Sequence, residues 1–172
     1  MGEKISVVVT TRNRSLLLQQ TLRCVCDQSW PDKEIIVVDD ASTDDTLQVL
    51  AEKFPQIKVV HHEAPRRISG ARNRGIAVAT GDWIFFLDDD DLIHPRHLEE
   101  LHEASLAAPP NSIVTGPIRA FSVVDGEVRL APTFCAPANR SDTDTKTNSS
   151  DRAGIAPSPI PPCCGRGACS KR

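Results

Sequence analysis

Four short runs dominated by β-branched and aromatic residues recur at residues 5–10, 34–39, 57–61 and 83–87, and they constrain the fold more than any other feature of the chain. The first two, Ile5-Ser-Val-Val-Val-Thr10 and Glu34-Ile-Ile-Val-Val-Asp39, lack polar alternation, which is the pattern of strands buried on both faces of a parallel sheet, and the runs at 57–61 and 83–87 repeat it. Between the runs the apolar residues take helical spacing: Leu18, Leu22 and Val25 within 15–27, Leu47, Leu50 and Ala51 within 45–54, and a third helix over 69–79. Strands alternating with helices predict right-handed crossovers and an α/β fold, an open and mainly parallel sheet with helices on both faces. Pro95 is placed to open a fourth helix whose apolar stripe is Leu98, Leu101 and Ala104. Residues 112–115 read as a further strand, and 121–124 and 127–130 as a hairpin turning at Asp125-Gly126.

In open α/β sheets ligands bind beyond the carboxyl ends of the strands. Here those positions carry Thr10-Thr-Arg-Asn-Arg14, Asp39-Asp-Ala-Ser42, His61-His-Glu63 and Asp88-Asp-Asp-Asp91. Two carboxylates ~5 Å apart repel by about 3 kcal/mol at an effective dielectric of ~20, so successive aspartates at the mouth of a buried strand favour a divalent cation. Oxygen ligands suit Mg²⁺ or Mn²⁺, and Mg²⁺ takes one or two carboxylates with substrate phosphates completing its shell. If strand geometry persists through the run, Asp88 and Asp90 share one side and Asp89 faces the other. The competing reading is a solvated acidic turn in which Asp91 caps the next helix. For Asp39-Asp40 the alternatives are helix capping around Ser42, Thr43 or Asp44, and acceptance of a hydrogen bond from a base N–H or a ribose hydroxyl. Gly70-Ala-Arg-Asn-Arg-Gly75 opens a helix after the third strand; its glycines allow close backbone approach, and Arg72 suits a phosphate or the aspartates. The segment is neither a Walker loop nor a G-x-G-x-x-G, which removes the main support for ATPase and dehydrogenase readings.

A formal net charge of −3 over 172 residues excludes general polyanion affinity, so nucleic acid is not an expected partner. No apolar run approaches the ~20 residues of a membrane span, and the expected location is cytoplasmic or peripheral at the membrane. The start also matches M-G-x-x-x-[ST], but Ser6 already belongs to a strand, so lipidation is not the preferred reading. Apolar periodicity stops near Ala131. Residues 132–172 hold six of the 13 prolines and four of the six cysteines, so the expected organisation is one domain over 1–131 and a Pro/Ser/Cys-rich disordered tail over 132–172. Cys163, Cys164 and Cys169 lack a fourth ligand at zinc spacing, and Cys24 and Cys26 diverge on a helix as ordinary thiols.

Taken in order, residues 5–14, Gln28-Ser-Trp-Pro31, residues 34–46, Gly70-Ala-Arg-Asn-Arg-Gly75 and Gly81-Asp-Trp-Ile-Phe-Phe-Leu-Asp-Asp-Asp-Asp91 followed by Pro95 resemble the nucleotide-sugar-binding half of family 2 glycosyltransferases, the GT-A fold. The resemblance covers roughly residues 4–120. It implies transfer of a sugar from a nucleotide-diphosphate sugar to an acceptor hydroxyl, saccharide or lipid-linked, with inversion and in cell-envelope polysaccharide biosynthesis. It further implies that Thr10 and Asp40 contact the nucleoside and that Arg72 lies near the diphosphate. By the same resemblance Asp88-Asp89-Asp90 is the D-x-D element, with Asp88 near the ribose and Asp90 on Mn²⁺ or Mg²⁺.

Inverting transfer also needs a base that deprotonates the acceptor hydroxyl. In the family this is an acidic residue of a later segment, and nothing after Ala131 resembles that segment. Asp142, Asp144 and Asp151 lie in Ser/Thr/Asn/Pro-rich sequence and are not named as base. The tail is therefore expected to replace the acceptor half, as a truncation or a change of reading frame would produce, and the alternative function is a catalytically incomplete nucleotide-sugar-binding fragment. A rival class is a Mg²⁺-binding receiver domain built on Asp39-Asp40, Asp88 and Thr115; against it, no lysine lies between Lys58 and Lys146 and Arg72 has no role there.

Overall fold

The computed structural model describes residues 3–109, 112–124 and 127–130. The chain divides into two compact units, Met1–Val114 and Thr115–Arg172. In the first, β1 (Ile5–Thr11), β2 (Lys33–Asp39), β3 (Lys58–His61) and β4 (Trp83–Asp88) form one parallel sheet of order β3-β2-β1-β4. Helices α1 (Ser15–Cys26), α2 (Thr46–Lys53), α3 (Arg67–Val78) and α4 (His97–Leu106) connect and follow the strands. In the second unit β5 (Phe121–Val124) pairs antiparallel with β6 (Glu127–Leu130), the hairpin read from the sequence. Its Asp125-Gly126 turn, the four tail cysteines, Asp142, Asp144, Asp151 and the whole proposed tail lie outside the described residues.

Helices cover both faces. On one, Leu18, Leu22 and Val25 of α1, Leu50 of α2 and Leu98 of α4 join Val7, Val9, Val37 and Leu87 in the larger core cluster. On the other, Ala71 of α3 packs with Val8, Ile36 and Val38. Gly75 sets the distance of α3 from the sheet, because a Cβ there would stand 2.3 Å from Val8 Cγ1.

Burial on both faces holds for β1 and for the end of β2, but not for the other two strands. In β3 Val59 is 38% exposed, and in β4 Ile84 and Phe86 are 39% and 38% exposed, since both strands are sheet edges. The inward face of α2 is Thr46, Val49 and Leu50, whereas the expected Leu47 and Ala51 face outward. The fourth helix begins at His97, two residues beyond Pro95, which sits in the preceding turn. Residues 112–115 are not a strand: Ile113 is 93% exposed and its neighbours Ser112 and Thr115 are exposed too, so this stretch has no burial to offer a sheet.

At the amino end of the sheet Glu34 accepts hydrogen bonds from Ser6 Oγ (2.6 Å), Thr80 N–H (2.6 Å) and Thr80 Oγ1 (2.9 Å), with Lys4 Nζ at 3.7 Å. Burial works to raise its pKa, but these donors and the lysine outweigh it and hold the carboxyl at about 2. A glutamate in the unfolded chain titrates near ~4.3. Because the folded pKa is the lower one, the stabilisation is fully present above that value and is lost as the pH falls through about 2. Thermal denaturation scanned downward from neutrality is expected to show a steep loss of melting temperature across this window. Glu34→Gln should cost roughly 2–3 kcal/mol at neutral pH and make that loss shallower.

Candidate functional site

Strand order reverses between β1 and β4, since the chain runs outward from β1 through β2 and β3 and then returns to β1's other side. This is the switch point at which open α/β sheets bind ligands. The register places Thr10 directly between Val38 of β2 and Asp88 of β4, so Thr10, Asp88 and the turn that follows share one edge.

Asp88 ends β4, and Asp89 and Asp90 form a turn closed by Asp91 N–H donating to the Asp88 carbonyl at 3.2 Å. The strand therefore does not persist through the acidic run. Asp89 is buried, accepting from Thr11 Oγ1 at 2.6 Å and from Arg14 Nη1 at 3.2 Å. Asp90 is half exposed and takes the same Arg14 nitrogen at 3.0 Å, while Asp88 takes Arg72 Nη2 at 2.8 Å. Arg72 also lies 5.6 Å from the centroid of the Phe86 ring, a cation–π contact that steadies its guanidinium. Thr21, fully buried on α1, brings its hydroxyl within 2.9 Å of the carbonyls of both Asp89 and Asp91. The Asp91 carboxyl is pushed above the usual aspartate range, first by desolvation and then by the charges of Asp88, Asp90 and Asp89. It caps no helix, because α4 starts six residues later.

The second acidic pair is engaged differently. Asp40 is buried, and its carboxylate accepts from the N–H groups of Arg66 (2.7 Å) and Arg67 (2.8 Å) and pairs with His62 Nδ1 at 2.9 Å. Burial works to raise its pKa, but His62 and the two backbone donors prevail and hold it below the ordinary range. Asp40 thus fastens the end of β2 to the start of α3, where Arg67 takes a left-handed φ of 61°. Asp39 is fully buried; it pairs with His61 Nδ1 at 2.7 Å and accepts from the Ser42 hydroxyl and N–H. Of the residues read as helix caps, Asp44 serves, accepting from Thr46 N–H at 3.1 Å at the start of α2.

Among the described residues no three histidine, cysteine or acidic side chains converge closely enough to hold a metal ion by themselves. The donor set nevertheless fits a hard cation. Asp88 and Asp90 present half-exposed carboxylate oxygens, and a guanidinium already stands against each of them as a positive stand-in. Such an ion would complete its shell with substrate phosphates.

Arg14, Thr11, Thr21 and His62 emerge as site residues to which the sequence assigns no role. Thr11, Arg14 and His62 carry only the signal of their place at strand ends, and Thr21 that of a polar residue three positions from Leu18 and four from Val25 on the apolar face of α1.

The profile of glycosyl transferase family 2 matches residues 6–170. The chain belongs to this family. Glycosyltransferase GlyG of Streptococcus pneumoniae is 31% identical over 163 residues, covering 87% of this chain and 54% of GlyG. The crystal structure of S. aureus TarS 1-349 in complex with UDP superposes with a TM-score of 0.54 and 31% identity over 58% of this chain and 31% of that one. The mannosyltransferase PcManGT of Pyrobaculum calidifontis, in complex with GDP-Man and Mn²⁺, gives a TM-score of 0.56 and 29% identity over 63% and 34%. Membership agrees with the GT-A resemblance read from the five motifs and leaves the receiver-domain rival without support. This family 2 chain spans 30% to 54% of the length of the curated relatives it matches. Among its described residues no helix is long and apolar enough to cross a membrane.

Proposed function

We propose that this chain takes part in transfer of a sugar from a nucleotide-diphosphate sugar to an acceptor hydroxyl, saccharide or lipid-linked, with inversion and with assistance from Mn²⁺ or Mg²⁺. The observation that carries the proposal is the meeting of Thr10, the acidic turn and two arginines at the β1/β4 switch point of a family 2 fold. Thr10 and Asp40 stand on the nucleoside side, and Asp40 acts there by holding the start of α3. Arg72 serves the diphosphate, Asp88 the ribose and the ion, and Asp90 the ion. Asp89, buried against Thr11 and Arg14, orients the turn that presents them. A divalent ion bound there would stabilise the charge that develops on the departing diphosphate.

In this reading the donor site is complete within residues 1–131, and residues 132–172 contribute none of its parts. A chain ending at Ala131 is expected to bind UDP or GDP as the full chain does. Transfer itself is tested by nucleoside diphosphate release from a panel of UDP- and GDP-sugars, with Mn²⁺ or with a chelator. Release from at least one donor that depends on Mn²⁺ is expected. No release from any donor, or release indifferent to the chelator, contradicts metal-assisted transfer by this chain.

A further inference from the structure

One nitrogen of Arg14 bears on two carboxylates at once, Asp89 Oδ1 at 3.2 Å and Asp90 Oδ2 at 3.0 Å. The two partners differ. Asp89 is buried and also held by Thr11, and the turn's backbone is pinned to α1 by the Thr21 hydroxyl. Asp90 and the Arg14 side chain are each about half exposed. The frame of the turn is thus fixed, while the guanidinium, on a long and half-exposed side chain, is the part able to swing out. Arg72 touches Asp88 alone and is steadied by Phe86, so Arg14 is the cation that neutralises the centre of the turn.

We propose that Arg14 is a resident counter-cation: it occupies Asp90 while no nucleotide is bound, and the divalent ion displaces it when metal and nucleotide bind together. The inference rests on the metal-assisted reading above. A guanidinium and a divalent ion repel each other at contact range and cannot share Asp90 Oδ2. A metal ion arriving alone therefore meets a carboxylate that is already neutralised, and binds weakly. A nucleoside diphosphate offers the displaced guanidinium a new partner, because planar guanidinium and phosphate match in geometry and charge. Ion and nucleotide should consequently reinforce one another.

The test is Mn²⁺ affinity, read from the electron paramagnetic resonance of free Mn²⁺, with and without UDP or GDP. It compares the wild type with Arg14→Gln and with Arg12→Gln, which removes the same charge from the same loop. Arg14→Gln is expected to bind Mn²⁺ alone on the order of tenfold more tightly than the wild type, and Arg12→Gln within about twofold of it. The gain in Mn²⁺ affinity on adding nucleotide should shrink in Arg14→Gln by a similar factor. If the wild type binds nucleotide in a Mn²⁺-dependent way but Arg14→Gln holds Mn²⁺ no more tightly than Arg12→Gln, the counter-cation role is wrong. If wild-type nucleotide binding is indifferent to Mn²⁺, the metal reading falls and takes this role with it. Should Arg14→Gln not fold, Arg14→Lys, whose nitrogen ends one atom nearer the backbone and so stands farther from both carboxylates, should give an intermediate rise of about threefold. An unchanged affinity there overturns the proposal as well.

Discussion

Gly75→Ala is expected to destabilise the protein, although the same exchange in an ordinary helix interior stabilises by ~1 kcal/mol. The sign inverts because the added Cβ would stand 2.3 Å from Val8 Cγ1 and 3.3 Å from Cγ2, and Val8 is fully buried in the central strand. Neither partner can give way: Val8 is stiff at χ1 and enclosed, so α3 must move off the sheet. Overpacking of this kind costs about 1–3 kcal/mol, or a fall in melting temperature of roughly 5 °C or more for a domain of this size. The clash is pairwise, which makes it separable. Val8→Ala alone leaves a cavity and also destabilises, but the double variant should be more stable than the sum of the two losses by about 1–2 kcal/mol. Strict additivity would mean that Gly75 is not what sets the helix against the sheet.

Asp40→Ala is expected to cost about 2–4 kcal/mol and to weaken nucleotide binding in the population that stays folded. The substitution strips three donors of their acceptor, His62 Nδ1 in a buried place and the N–H groups of Arg66 and Arg67 in a part-buried one. It also releases the backbone constraint that keeps Arg67 at a φ of 61°, a conformation that costs a side-chain-bearing residue roughly 1–2 kcal/mol. Relaxation there shifts the start of α3, the helix that carries Arg72 one turn further on. Asp40→Asn keeps one carbonyl acceptor but turns an amide N–H₂ toward donors, so about half the loss should remain. Chemical denaturation gives the stability, and titration of UDP or GDP against the folded variant gives the binding. A variant with unchanged stability would show that Asp40 does not tie β2 to α3.

How much of this was legible beforehand depended on whether a signal is local. The runs of valine and isoleucine announce β1 and β2, and leucines at helical spacing announce α1. That β3 and β4 are edges was not legible, because strand order is decided by crossovers and Phe86 reads the same in a centre as at a rim. Eight residues of α2 are too few to tell a face of Val49 and Leu50 from one of Leu50 and Ala51. The acidic run was visible as a ligand-binding edge, but its internal division was not. Asp89 turns inward because Thr11 and Arg14 receive it from more than 70 positions away, and no local pattern records such a pairing. Asp40 is similar: the sequence offered a base contact or a nearby cap, and the structure uses it on α3, 26 and 27 residues downstream.

On the proposed function, the β1/β4 edge is a nucleotide site in which Asp88 and Asp90 need a divalent ion beside the phosphates. Calorimetric titration of the chain with UDP and with GDP, in Mn²⁺ and again in chelator, tests it most directly. Millimolar-or-tighter binding of at least one nucleotide is expected in Mn²⁺, at least about tenfold weaker in chelator, with the difference between the two conditions abolished in Asp90→Ala. Equal affinity in both conditions, or a metal dependence that survives Asp90→Ala, would contradict it.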